Sequence, residues 1–164
     1  TSAISAALAT AELLGIGRDE ITNGLKNIQP MLRRLQPMLL TGNRLVVDDS
    51  YNITLDGAEA ALDYVKSLNR RKIGVFAGIP EGGAEEKRLN CELGRRIASI
   101  FSIILLGRTP VAAEVLAGLR ERGFNEANAM RYNDTNEVEE ILSKVARDGD
   151  CVYLSAYDWP AIYL

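Results

Sequence analysis

RLVVDDSYN, residues 44–52, is the stretch that decides the fold. Leu45, Val46 and Val47 form a short apolar run that reads as a buried strand, and helical spacing resumes a few residues later, over 55–68. Between them stands a polar corner: Asp48, Asp49, Ser50, Tyr51 and Asn52. Two carboxylates, a phenol and an amide in one place can accept from ribose hydroxyls, hold a magnesium through water, or bond an adenine edge. A plain turn that uses Asp and Asn as turn formers stands open beside that reading.

Outward from this corner, strand and helix patterns alternate. Strands are expected at 72–77, 102–106, 128–132 and 151–155, and helices at 84–100, 111–122 and 136–147. Regular alternation means parallel strands joined by crossover helices, so the fold class is α/β, a Rossmann-like, mostly parallel sheet with helices on both faces. Ligands of such sheets bind beyond the carboxyl ends of the strands, which makes the residues just after each strand the candidate site. Upstream, Ala3, Ile4, Ala7, Leu8, Ala11 and Leu14 recur at helical spacing, and 19–28 supplies a second short helix. Pro30 and Pro37 then bracket MLRRLQ, expected as a linker running into a strand. The expected domains are 1–37 and 38–164. A chain that starts inside a helical pattern is expected to be a piece of something longer.

Composition narrows the chemistry. The 164 residues suit one substantial core, and a net charge of −3 without a basic stripe makes neither nucleic acid nor anionic lipid an expected partner. Cys91 and Cys151 stand far apart with no CxxC companion, which fits buried thiols in a reducing, cytoplasmic compartment. With no histidine, the chain alone has no imidazole acid/base, no Ser/His triad and few routes to a zinc site. The longest apolar stretch, 97–107, is too short to span a bilayer, which needs about 20 residues.

Three further segments could carry chemistry. After the second strand, Ala77-Gly78-Ile79-Pro80-Glu81-Gly82-Gly83 could form an anion-binding nest, yet Glu85 and Glu86 already occupy the positive end of the next helix, which favours a turn. Arg33 and Arg34 could reach a nucleotide held between domains, although a solvated basic pair is the commoner arrangement. The last strand runs into Ser155, Ala156, Tyr157, Asp158 and Trp159, whose aromatics could line a pocket or pack down an edge. GxxxxGK[ST] is absent from the chain, so it is not a self-sufficient P-loop ATPase.

Taken together, these residues resemble the Mur ligases, ATP-dependent enzymes that build the peptide stem of peptidoglycan, and most closely the branch that adds D-alanyl-D-alanine. TSAISAALATAELLGIGRDEITNGL resembles the pattern N-A-x-A-A-x-A-x-x-x-G-x-x-x-x-x-I-x-x-G-L that closes the family's central domain. LVVDDSYNITLDGAEAAL resembles the VIDDSYNANPxSxxAAL stretch that opens its C-terminal domain. The resemblance covers essentially the whole chain. It implies that 1–37 ends the central ATP-binding domain with its linker, and that 38–164 is the C-terminal domain.

The resemblance implies a reaction in which ATP phosphorylates the terminal carboxylate of a UDP-linked muramoyl peptide and an incoming amino acid or dipeptide attacks the acyl phosphate. The C-terminal domain would close over ATP and place the amine. Carried over by position, Asp49 would bear on the ribose or nucleotide, Asn52 would border the adenine, and Arg34 would match the arginine of the GRxE linker motif. Glu81, Ser155 and Tyr157 would face the second substrate. Catalytic groups, the P-loop and most of the Mg2+ ligands belong to the central domain, so this chain alone is expected to be inactive.

Several positions depart from the pattern. GRxE reads Arg33-Arg34-Leu35-Gln36, and GDMxELG reads Gly78-Ile79-Pro80-Glu81-Gly82-Gly83. The histidine of the next helix is Asn90, and KGSR is replaced by Ser155-Ala156-Tyr157-Asp158. Two other readings therefore stay open: a diverged ligase of the same superfamily with a non-muramoyl acceptor, and a non-catalytic module that binds a nucleotide or small acid.

Overall fold

Short aliphatic runs separated by helices leave a strand no hairpin partner, so it must pair in parallel through crossovers. The structure, a computed structural model, describes residues 2–28, 31–51 and 54–155. Contacts divide the chain into two units, residues 1–31 and 32–164. The first holds α1 (Ser2–Leu13) and α2 (Arg18–Lys26). None of its described residues is fully buried, and Ile4, Leu8, Ile21, Leu25 and Ile28 line an apolar groove of about 410 Å³.

The second unit is a six-stranded sheet among the described residues. Its strands are β1 (Gln36–Leu40), β2 (Arg44–Asp48), β3 (Lys72–Phe76), β4 (Ile103–Gly107), β5 (Ala129–Tyr132) and β6 (Cys151–Ser155), in the spatial order β1-β2-β6-β3-β4-β5. Only the β1–β2 pair is antiparallel. The helices are α3 (Leu55–Ser67), α4 (Glu86–Ile97), α5 (Ala112–Glu121) and α6 (Thr135–Val145). From β2 to β5 each connection steps the same way across the sheet, and right-handed crossovers then stack α3, α4 and α5 on one face. The return from β5 to β6 reverses direction and puts α6 on the other. Strand side chains alternate accordingly: Val47, Phe76, Leu106 and Tyr153 join α3 to α5, whereas Val46, Val75, Leu105 and Leu154 meet α6.

Helix starts follow local chemistry. Thr54 Oγ1 accepts from the Gly57 amide at 3.1 Å to cap α3, and Asp134 Oδ1 accepts from the Glu137 amide at 3.0 Å to cap α6. The helix expected over 84–100 is divided: a 3-10 turn (Gly83–Glu85) precedes α4, which ends at Ile97. The strand missing from the expectation is β1. Pro37 argues against a strand in an interior position, but β1 is an edge, where the missing N–H costs no ladder bond.

Two contacts fix the packing. Gly94 and Gly118 let α4 and α5 touch backbone to backbone: a Cβ on Gly94 would sit 2.1 Å from Val115 O, and one on Gly118 would sit 2.0 Å from Cys91 O. Beneath the sheet's amino ends, Arg71 grips the nearly buried Asp150 through both oxygens, Nε to Oδ1 at 3.0 Å and Nη2 to Oδ2 at 2.6 Å. The Arg147 amide adds a bond to Oδ2 at 2.8 Å. Burial alone would raise the Asp150 carboxyl, but the Arg71 hydrogen bond, the Arg147 amide and the two guanidinium charges outweigh it and hold the group below the ordinary aspartate value.

Gly118→Ala is expected to cost about 2 kcal/mol through overpacking, read as a lowered Tm. Unchanged melting would show that the two helices are free to part. For Asp150, an acid depressed on folding contributes stability that is complete above its unfolded value and lost as pH falls through the folded one. Stability should therefore start to fall near pH 3.8 and keep falling below it. Asp150→Asn should flatten that acid limb and cost about 3 kcal/mol at neutral pH, measured by denaturant titration.

Candidate nucleotide-binding corner

Strand order brings three carboxyl ends side by side. Asp48 pairs with Leu154 on β6, and Ser155 pairs with Phe76 on β3. The ladder continues one step past β2, where the Asp49 amide donates to Leu154 O at 2.8 Å. The residues after β2 are thus held against the end of β6.

The two aspartates divide the work. Asp48 is buried and turns inward, its Oδ1 accepting from the Ser50 amide at 3.0 Å and from Ser50 Oγ at 2.6 Å. It is a turn former, as the plain-turn reading had it. Asp49 is half-buried, with Oδ1 accepting from the Leu35 amide at 3.1 Å and Oδ2 from the Tyr153 hydroxyl at 2.9 Å. Burial pushes its carboxyl above the ordinary value. Those two hydrogen bonds and the Arg34 charge pull the other way, and Asp48 adds a further upward push. The Tyr153 phenol is driven well above its usual value by burial and then by the Asp49 charge, so it stays a protonated donor.

The arginine pair is also divided. Arg33 turns in: its Nε donates to Ser50 Oγ at 2.9 Å and its Nη2 to Ser50 O at 3.1 Å, while Arg33 O accepts from the Tyr51 amide at 3.0 Å. Arg34 turns out and lays its guanidinium over the Tyr51 ring, 4.6 Å from the centroid. Such zigzagging needs an unusual backbone, and Arg33 (φ 61) and Leu35 (φ 48) are both left-handed. Each costs of the order of 1 kcal/mol, which the bonds to Asp49 and Ser50 offset. The stretch expected as a linker is therefore fastened to the DDSY corner at its 33–36 end.

The other expected residues scatter. Glu81 lies exposed in the loop after β3, with a left-handed φ of 60. Ser155 is buried at the end of β6, its hydroxyl near the Tyr153 phenol but outside hydrogen-bonding geometry. Among the described residues no hydrogen bond or ion pair joins Glu81 or Ser155 to Asp49. Asn52 and Tyr157 lie outside the described residues.

Asn90 is a structural clamp, a role its position in the sequence did not disclose. Its Oδ1 accepts from the Ile79 amide at 2.7 Å and its Nδ2 donates to Ile79 O at 2.9 Å, copying a strand partner. That fixes the loop after β3, which with the loop after β4 encloses a cavity of about 320 Å³ lined by Ala77, Gly78, Pro80, Glu86, Thr109 and Val111. Sequence reasoning also missed Tyr153 and the Leu35 amide. A phenol inside an otherwise aliphatic strand was the available signal, since a buried tyrosine hydroxyl must find a partner.

The corner sets hydrogen-bond acceptors beside a flat cation. Among the described residues Asp49 accepts one hydrogen bond on each oxygen, which leaves a second acceptor position on each, and the exposed Tyr51–Arg34 stack offers a flat cationic surface. The chain carries no GxxxxGK[ST] cradle for phosphates, and no group of three or more His, Cys, Asp or Glu among the described residues could hold a metal. Among the described residues, no helix is long and apolar enough to cross a membrane.

Comparison with known proteins gives the family and the fold. The family described as "Mur ligase, glutamate ligase domain" matches residues 33–156. The UDP-N-acetylmuramoyl-tripeptide--D-alanyl-D-alanine ligase of Escherichia coli K12 is 30% identical over 123 residues, covering 72% of this chain and 27% of the relative. MurF ligase from Thermotoga maritima, solved in complex with ADP, superposes with a TM-score of 0.76 at 21% identity, over 93% of this chain and 33% of that one. MurF from Acinetobacter baumannii gives 0.75 at 23% identity, over 93% and 34%. The chain thus spans only about a quarter to a third of the length of these relatives. Within that span it belongs to the Mur ligase family, as that family's C-terminal, glutamate ligase domain.

Proposed function

We propose that this chain is the nucleotide-closing domain of an ATP-dependent amide ligase that joins D-alanyl-D-alanine to a UDP-linked muramoyl tripeptide. One observation carries the reading: at the end of β2, Asp49 is held by two donors with acceptor positions to spare, beside the outward-facing Arg34–Tyr51 stack. The named activity of the Escherichia coli relative supports the choice of substrates.

In this reading residues 1–37 close the central ATP-binding domain and 38–164 form the C-terminal one. ATP would supply the phosphoryl group that activates the acceptor carboxylate, with Mg2+ held mainly by the central domain. This chain's own residues bind and orient. Asp49 would take the sugar hydroxyls, Arg34 and Tyr51 the base or phosphate edge, and Asn52 the adenine side. The cavity between the loops after β3 and β4, with Glu81, Ser155 and Tyr157 nearby in sequence to the strand ends, would receive the incoming dipeptide. Without the phosphate-binding domain the chain would not turn over.

A second reading has one specific observation in its favour. Asn90 spends its amide on the Ile79 backbone, so the loop facing the second substrate is held by a residue other than the family's histidine. A ligase of the same family with a different incoming amine or acceptor would show that change.

Phosphate release by the intact polypeptide should require both the muramoyl tripeptide and D-alanyl-D-alanine, and Asp49→Ala should lower kcat/KM for ATP at least about tenfold, the loss expected from removing hydrogen bonds to a charged group. Turnover with another acceptor in a peptide panel would favour the second reading. Failure to find a GxxxxGK[ST] loop encoded ahead of Thr1, with no ATP-dependent turnover, would reject both.

A further inference from the structure

We propose that Tyr153 is a positioning residue that aims the Asp49 carboxylate at a vicinal diol such as that of a ribose ring, an inference that rests on the nucleotide reading of the corner. An aspartate carboxylate rotates easily about its terminal torsion, which has broad, two-fold preferences. Two donors fix it here, Leu35 N–H on Oδ1 at 3.1 Å and Tyr153 O–H on Oδ2 at 2.9 Å. Among the described residues one acceptor position is used on each oxygen, which leaves one on each. One position on each oxygen matches a pair of adjacent hydroxyl donors, whereas an isolated hydroxyl would use only one.

Tyr153 can hold this aim because it cannot swing. It pairs with Val47 in the parallel ladder, which sets it one strand over and two residues short of Asp49, on the same face of the sheet. Its ring is fully buried and sits 5.7 Å from Phe76 and 6.0 Å from Phe101, centroid to centroid. Gly74 makes the room, since a Cβ there would lie 2.4 Å from the Phe76 ring and 3.0 Å from that of Phe101. A hydroxyl bonded to a carboxylate is among the stronger neutral-to-charged hydrogen bonds, so its loss is felt.

The test compares wild-type intact ligase with Tyr153→Phe, using ATP and 2′,3′-dideoxy-ATP. Tyr153→Phe is expected to raise KM for ATP about tenfold, with little change in KM for the incoming amine or in Tm, because the ring stays in place. With 2′,3′-dideoxy-ATP the two proteins should perform alike. A loss of equal size with both nucleotides, or no loss with ATP, overturns the positioning role. A wild-type enzyme indifferent to the missing hydroxyls overturns the nucleotide reading of the corner, and the positioning role with it. Should Tyr153→Phe not fold, 3-fluorotyrosine at the same position, a stronger donor of nearly equal shape, is expected to lower KM for ATP and leave KM for 2′,3′-dideoxy-ATP unchanged; no difference overturns the proposal.

Discussion

The hydrogen bond from the buried Tyr153 hydroxyl to Asp49 ties the core of this domain to its polar rim. It exists only because the chain returns from β5 to lay β6 between β2 and β3. That return places a residue from late in the sequence beside one from early in it, 104 positions apart. The same step sends α6 to the opposite face, so one topological reversal both closes the core and completes the corner. The aromatic trio of Phe76, Phe101 and Tyr153 then holds the phenol from behind, in space left by Gly74.

Around that bond the segment 33–36 is drawn into an unfavourable shape. Left-handed φ values at Arg33 and Leu35 persist because three groups hold them: Asp49 takes the Leu35 amide, Ser50 takes the Arg33 side chain, and Tyr51 donates to the Arg33 carbonyl. Strain of this sort survives only where the surroundings over-determine it. The division of the two arginines follows directly. Alternation in the backbone sends Arg33 inward to a structural role and leaves Arg34 outside, where its charge reaches Asp49 and its plane covers Tyr51.

Much of this was legible in the sequence. The apolar runs ending at Asp48, Ala77, Leu106 and Ser155 marked the parallel strands to within a residue or so, because buried strands must be continuously apolar. The DDSYN corner stood out by chemistry, and Asp49 as its outward carboxylate came from the family resemblance. What stayed hidden depended on neighbours distant in the chain. Pro37 spoke against β1 until the strand proved to be an edge. No local pattern distinguishes Arg33 from Arg34, or Asp48 from Asp49, since each choice is made by a partner on another element. Asn90 read as a departure from the family's histidine, whereas its amide is occupied by the Ile79 backbone.

The glycine contact between α4 and α5 reaches beyond packing. Each helix carries at its amino end one of the two loops that bound the 320 Å³ cavity, and the two helix backbones touch with no side chains between them. Loops rooted in this way cannot drift apart without separating the helices beneath them. The cavity's width is therefore set by the helix contact, and a displacement of one wall must carry the other with it.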